Sequence, residues 1–386
     1  MLPKEKIKPF LVHSISQVRD FAAGYFQNRN QQPEDLMDWV YQATDRYGPE
    51  NCIGLLSNAR QFLLNHGHFI RILNEWRTLP HEEKYILLRR QYEFLLQCAP
   101  AEFLRDQASE WKGRRFTEPS RNVLSQFLSL PETGAASLLK ELNRTASSPN
   151  IMIGFTNFEY FYGRFLGYQL GLVMDRPFFD EMIRLCRDVY TSDGWRSILL
   201  QESLRSTPFR GDLSPLLSLL EWDEDGAVSD AVLFTIRAVG DERLLSEIFR
   251  LFPRGSVQFK TRALEAIETI KDESLKVHCL SCLAQPNTID EVKDRIYICL
   301  AGLLSQDCLQ VLEEAVERQD YDPELADLKE TLLINQIILS GDLSGESRSS
   351  HELREYIAGR SSIPTSILAN WIGPTEEDSA RGDSSR

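Results

Sequence analysis

Two cysteines three residues apart, Cys279 and Cys282, follow His278 in the string HCLSC. A Cys-x-x-Cys pair serves a dithiol redox centre or half of a zinc site, because thiolates at that spacing reach one disulfide or one metal ion. No second pair follows this one, and no alternation of strand and helix surrounds it. The histidine precedes the cysteines, whereas c-type haem attachment needs it after them. We therefore read both thiols as packing positions on one helix. His66 and His68 flank Gly67 and bring two imidazoles together, but zinc takes three or four protein ligands and no third lies nearby. They read as solvated residues where a helix ends at Gly67. The chain has no glycine-rich phosphate loop, no HExxH and no GxSxG, and nothing singles out a catalytic pair among its 57 acidic residues. The sequence assigns no catalytic residue, no cofactor and no metal ligand.

Surface contact is the chemistry that remains. Lys112, Arg114 and Arg115 follow Trp111, and with Arg89 and Arg90 they make the best candidate patch for phosphate. An ordinary solvated turn is the competing reading. Glu265, Glu268, Asp290, Glu291 and Asp294 are expected on a solvated ridge able to meet a basic partner. Gly163, Gly167 and Gly171 clear one helical stripe beside the aromatic run Phe155 to Tyr168, which reads as close helix packing with bulky core residues. Arg-Gly-Asp occurs at Arg210–Asp212 and Arg381–Asp383, and we treat both as chance.

The elements that must carry these residues are helices. Ala263, Leu264, Ile267 and Ile270 recur at the spacing of one helical face, and Leu275, Val277, Leu280 and Leu283 begin another after Lys271, Asp272 and Glu273. Asp272 is placed to cap the second helix. Similar turns fall at Asp241 and Asp307, an interval that fits two helices of ten to fifteen residues with short connections. Further helices are expected from Pro33 to Gly48, from Pro49 to about His66, after Pro80, and at 100–112, 119–130, 132–146, 157–174, 177–190, 195–205, 213–222 and 323–339. No segment alternates with period two, so a β-domain is not expected. The longest apolar stretch, Ile151 to Met174, carries Glu159 and Arg164 and reads as buried helix, not as a membrane span.

At this point the chain resembles the HEAT-repeat family. The resemblance rests on Arg262, Ala263, Leu264, Ile267 and Asp272, more loosely on Ala231, Val232, Ile236 and Asp241, and on Val18, Arg19, Asp20 and Ala22 after the polar break His13 to Ser16. It covers about 225–320 and 7–48. It implies an all-α fold, a right-handed α-solenoid of antiparallel helix pairs, in which the alanine lets paired helices approach and the aspartate caps the turn. Such arrays bind other macromolecules. Some hold nucleic acid in a basic concavity, and some act as glycosylases or chromophore lyases; no residue here takes such a role.

Composition sharpens the expectation. The formal charge is −14, and residues 212–330 hold 25 acidic against 12 basic side chains, while the remainder is nearly balanced. A negative field repels phosphate and favours basic partners. Seven cysteines, an odd number spread along the chain, fit free thiols in a reducing cytoplasm. The N-terminus has lysines without a following apolar run, so no secretory signal is expected. Composition shifts divide the chain into an N-terminal helical array (1–210), acidic repeats (211–339), a flexible loop with a short docking helix (340–372) and a disordered tail (373–386). The expected function is a non-catalytic scaffold or adaptor whose acidic face binds a basic protein. Nucleic-acid binding through Arg89, Arg90, Lys112, Arg114 and Arg115 is the alternative, and a HEAT-like enzyme or cofactor lyase the second.

Overall fold

The computed structural model describes residues 1–28, 32–80, 82–97, 99, 103, 176–186, 203, 212, 214–220, 227–239 and 242–360. The described residues are helical and contain no strand. Fifteen α-helices are seen among them. In the N-terminal part these are α1 (Lys4–Ile7), α2 (Ser16–Tyr25), α3 (Leu36–Tyr47), α4 (Ile53–Ala59), α5 (His66–Thr78) and α6 (Ile86–Gln97). Then follow α7 (Arg176–Cys186), α8 (Ala227–Val239), α9 (Arg243–Leu251), α10 (Val257–Ile267) and α11 (Glu273–Leu283). The last four are α12 (Asp290–Gly302), α13 (Gln306–Arg318), α14 (Leu328–Ser340) and α15 (Arg348–Arg360).

Local chemistry explains where these helices begin. Ser256 accepts from the Phe259 amide at the start of α10, and Asp272 accepts from Ser274 at the start of α11, as its position in the sequence implies. Asp327 does the same for Glu330 in α14. Asp307, expected in the turn between two helices, lies in the first turn of α13. The cap there is Ser305, whose hydroxyl accepts from Cys308. Asp241 lies outside the described residues. The helix expected from Pro49 to His66 is a 3-10 turn at Pro49–Cys52 followed by α4, which stops at Ala59. His66 opens the next helix and does not close the previous one. Asn65 caps α5 by accepting from the His68 amide, and His68 Nδ1 accepts from the Asn65 amide in return. Segment 213–222 yields a 3-10 helix at Ser214–Leu219, and the helix expected at 323–339 starts only at Leu328. The helices expected at 100–112, 119–130, 132–146, 157–174 and 195–205 fall, apart from Phe103 and Ser203, on residues outside the described set.

Alternate helices pack side by side. Helix α8 lies on α10, α10 on α12, and α12 on α14, while α9 lies on α11. This pattern is compatible with a helical repeat. The row does not stop at α14, which packs on α2, and α2 in turn on α4 and α4 on α6. The N-terminal helices and α14, far apart in sequence, therefore meet. One apolar cluster holds Phe179 to Cys308, including Ile236, Leu264, Ile267 and Ile296. A second joins Ile7, Val18, Val40, Leu55 and Leu95 to Leu304, Leu333, Ile334, Ile337, Ile338 and Leu353. The N-terminal helices thus complete their core with side chains from α14 and α15, across the composition boundary at 210. The Leu2 amide donates to the Leu304 carbonyl at 3.0 Å along the same seam.

Candidate interaction surface

Charged side chains collect where α2 ends over the edge of α8, α10 and α12. Arg237 in the last turn of α8 donates to Glu268 Oε1 at 2.7 Å, with Glu265 at 3.7 Å, both from the end of α10. Arg295 on α12 approaches the same two carboxylates from the other side, at 3.4 Å and 4.0 Å. Arg237 also donates to Gln27 Oε1 at 2.7 Å, which ties the residue after α2 into the group. Gln27 in turn donates to Asn58 on α4. Lys271, in the turn after α10, donates to the Glu268 carbonyl at 2.6 Å and lies over the Tyr25 ring. Burial pushes the Glu268 carboxyl up from its ordinary range despite three nearby cations. It brings the Lys271 ammonium down to about 8 and the Tyr25 phenol up to about 12. Opposite charges alternate along this row, so it ties adjacent helices together.

A second charged row lies outward. Lys276 on α11 bridges Glu273 in its own first turn, at 2.5 Å, and Asp307 at the start of α13, at 3.3 Å. Lys293 on α12 repeats the arrangement with Asp290 at 3.3 Å and Asp320 at 2.9 Å. Each lysine answers two carboxylates, so each group of three keeps one excess negative charge. Hydrogen bonds and attraction to these carboxylates raise both ammonium groups above their usual range. Glu291, Glu317 and Glu324 stand exposed nearby in sequence and add to the excess.

The five acids expected on one ridge are divided by the structure. Asp290 and Glu291 are exposed at the start of α12. Glu265 and Glu268 are partly buried among Arg237 and Arg295, where their charge is already answered. Asp294 is no surface residue: it is 3% exposed and both its oxygens accept from the Asp322 amide. Its place on a solvated ridge is corrected for that reason, since the loop after α13 folds over it. Val277, expected on an apolar face, points outward at 59% exposure. The sequence reading missed Arg237, Lys271, Lys276, Lys293, Arg295 and Gln27. A signal for some of them existed: Glu273-x-x-Lys276 and Asp290-x-x-Lys293 are the same acid–lysine spacing in two helices.

The basic candidates fare differently. Arg90 is exposed, but Arg89 turns toward its own chain, donating to the Leu79 carbonyl at 2.7 Å and lying over Trp76. Lys112, Arg114 and Arg115 lie outside the described residues, as do the glycine stripe and the aromatic run. The HCLSC string is a packing element. Cys279 and Cys282 are buried, His278 stacks on Phe249 at 3.9 Å, and Cys282 Sγ lies 3.6 Å from His278 Nε2. Burial pushes the Cys282 thiol up to about 11, which makes it a poor nucleophile near neutrality. Cys52, Cys299 and Cys308 are likewise free and buried. Among the described residues no group of three or more His, Cys, Asp or Glu is arranged to hold a metal ion. None of the helices there is long and apolar enough to cross a membrane.

Against known proteins the chain stands apart in all three comparisons: no family model matches it, and neither does any curated protein or solved structure.

Proposed function

We propose that this chain is a non-catalytic binding scaffold built as a HEAT-like solenoid of helix pairs, whose outer acidic row receives a basic protein surface. The carrying observation is the repetition of a lysine held between two carboxylates, Lys276 with Glu273 and Asp307, then Lys293 with Asp290 and Asp320. Excess negative charge recurs there on successive helices, a layout that suits a partner with spaced Lys or Arg side chains. The stacking of α8, α10, α12 and α14 supports the solenoid reading, as do the caps at Asp272 and Ser305. Buried free thiols support a reducing, cytoplasmic setting. Of the five acids named from sequence, Asp290 and Glu291 remain in the proposed face.

The test uses the full chain as bait in a lysate from its source cells, with and without nuclease, against a variant carrying Glu273→Lys, Asp290→Lys, Glu291→Lys and Asp307→Lys. A basic protein held by the wild type, released by moderate salt and lost in the variant is the expected result. Equal retention by both baits defeats the proposal. Retention that depends on nucleic acid instead turns attention to Arg90 and the residues following Trp111.

A further inference from the structure

His13 joins the N-terminal segment to the turn between α14 and α15. It follows the 3-10 turn Lys8–Val12 and precedes α2, and its ring is 1% exposed. The Ile15 amide donates to Nδ1 at 3.2 Å. An amide can only donate, so Nδ1 carries no proton and Nε2 does. Nε2 then donates to the Asp342 carbonyl at 3.2 Å, in the turn that links α14 to α15. In its neutral form the ring has used both nitrogens, one on each side of the seam.

The surroundings hold that turn in place. The Asp342 carboxylate accepts from the Gly345 and Ser347 amides and from the Ser344 and Ser350 hydroxyls. The segment expected as a flexible loop is thus gathered around one side chain. Arg354 on α15 donates to the Gly345 carbonyl at 2.7 Å and reaches Ser14 at 3.2 Å. Arg19 on α2 donates to the His13 carbonyl at 2.7 Å. The charged groups acting on the ring are Asp342 from the turn and Arg354 from α15, while Arg19 on α2 meets only the His13 backbone, and the Phe10 ring lies 6.0 Å away.

We propose that His13 is an acid-sensitive latch: a second proton on its ring releases the turn Gly341–Ser347 and α15 from the N-terminal segment. The proton can enter only at Nδ1, where the new N–H faces the Ile15 N–H and two donors oppose each other. The cation formed is buried, and desolvation together with the Arg354 guanidinium outweighs the attraction of the Asp342 carboxylate. Asp342 cannot take over the response, because its four donors hold it ionised far below the usual carboxylate range. Burial correspondingly keeps His13 below its ordinary titration range in the docked state. Once undocked, the ring titrates normally near ~6.5. The open state binds the proton more readily than the closed state, so docking is full above ~6.5 and weakens as pH falls through it. One pH unit lower, the open population rises by at most about tenfold. Release uncovers Leu353, which is fully buried, and the partly buried Tyr356 and Ile357.

Hydrogen exchange on the full chain, corrected for intrinsic rates, tests this at pH 7.5 and 5.5. Protection in α15 is expected to fall on acidification, by at most about tenfold, while α12 and α13 keep theirs, and the fall should vanish in His13→Gln. Unchanged protection in the wild type, or an equal fall in His13→Gln, overturns the proposal. Should that variant not fold, histidine NMR on the wild type and Gly345→Ala decides. Gly345 has φ +73°, and a Cβ there would lie 2.7 Å from Ser14 Oγ and 2.8 Å from Arg354 Nη2, so alanine loosens the same seam. His13 is expected to titrate below ~6.5 in the wild type and to move up toward it in Gly345→Ala. Ordinary titration in both proteins overturns the latch.

Discussion

Truncating Ile337 to alanine should weaken helices far from it in sequence. Ile337 lies on α14, is fully buried, and shares its apolar cluster with Val18, Ala22, Leu55 and Leu95. Removing its outer carbons forfeits their transfer free energy and leaves a cavity between α14 and α2, a loss of about 2–5 kcal/mol in a packed core. At ~1.4 kcal/mol per decade, even the lower figure is a change of roughly 30-fold in the opening equilibrium. Hydrogen exchange with peptide-level resolution reads this directly. Because α2 completes its core on α14, amides of α2 and α4 should lose protection together with those of α14, by a similar factor. Loss confined to α14 and α15, with α2 and α4 unchanged, would show that the N-terminal helices stand without them and would refute the shared-core argument.

Two further substitutions probe buried charge. Lys271 holds its proton only to about pH 8 in the folded chain, while the unfolded chain keeps it to ~10.5, so folding gains stability as pH rises between those values. Urea denaturation at pH 7.5 and 9.5 should show a gain of about 2 kcal/mol attributable to this residue, and Lys271→Met should lack it; an identical pH dependence in both proteins contradicts the assignment. Burial raises the Asp20 carboxyl to about 6, so its charge opposes folding at neutral pH and the penalty fades as pH falls from there toward the ordinary aspartate value. Asp20→Asn should therefore raise stability by about 1–2 kcal/mol at pH 7 and by much less at pH 4, as read by the urea midpoint; a destabilised variant at pH 7 speaks against it.

Much of the helical plan was legible because it is local. Apolar spacing and the capping carboxylate of Asp272 mark α10 and α11, and the structure places that cap as expected. The break after Ala59 was missed since the apolar pattern runs on through Phe62 and Leu64, although Asn65 was a readable cap for the helix that follows. What escaped was non-local. Nothing within its own helix distinguishes Asp294 from Asp290, and only the Asp322 amide, arriving from the loop after α13, makes one buried and the other exposed. Arg237 and Glu268 come from neighbouring helices α8 and α10, but their link to Gln27 requires knowing that α2 comes back to this group. The docking of the first helices on α14 left no trace in composition, because both partners are ordinary apolar faces.

That docking sets an order of events during synthesis. The Leu2 amide waits for a carbonyl that leaves the ribosome about 300 residues later, and Val18 waits for Ile337. At ~5–20 residues per second the first helices remain without their partner for roughly 15–60 s. Over that interval the apolar faces of α2 and α4 are open to whatever binds nascent chains, and their shared core closes only once α14 has been made.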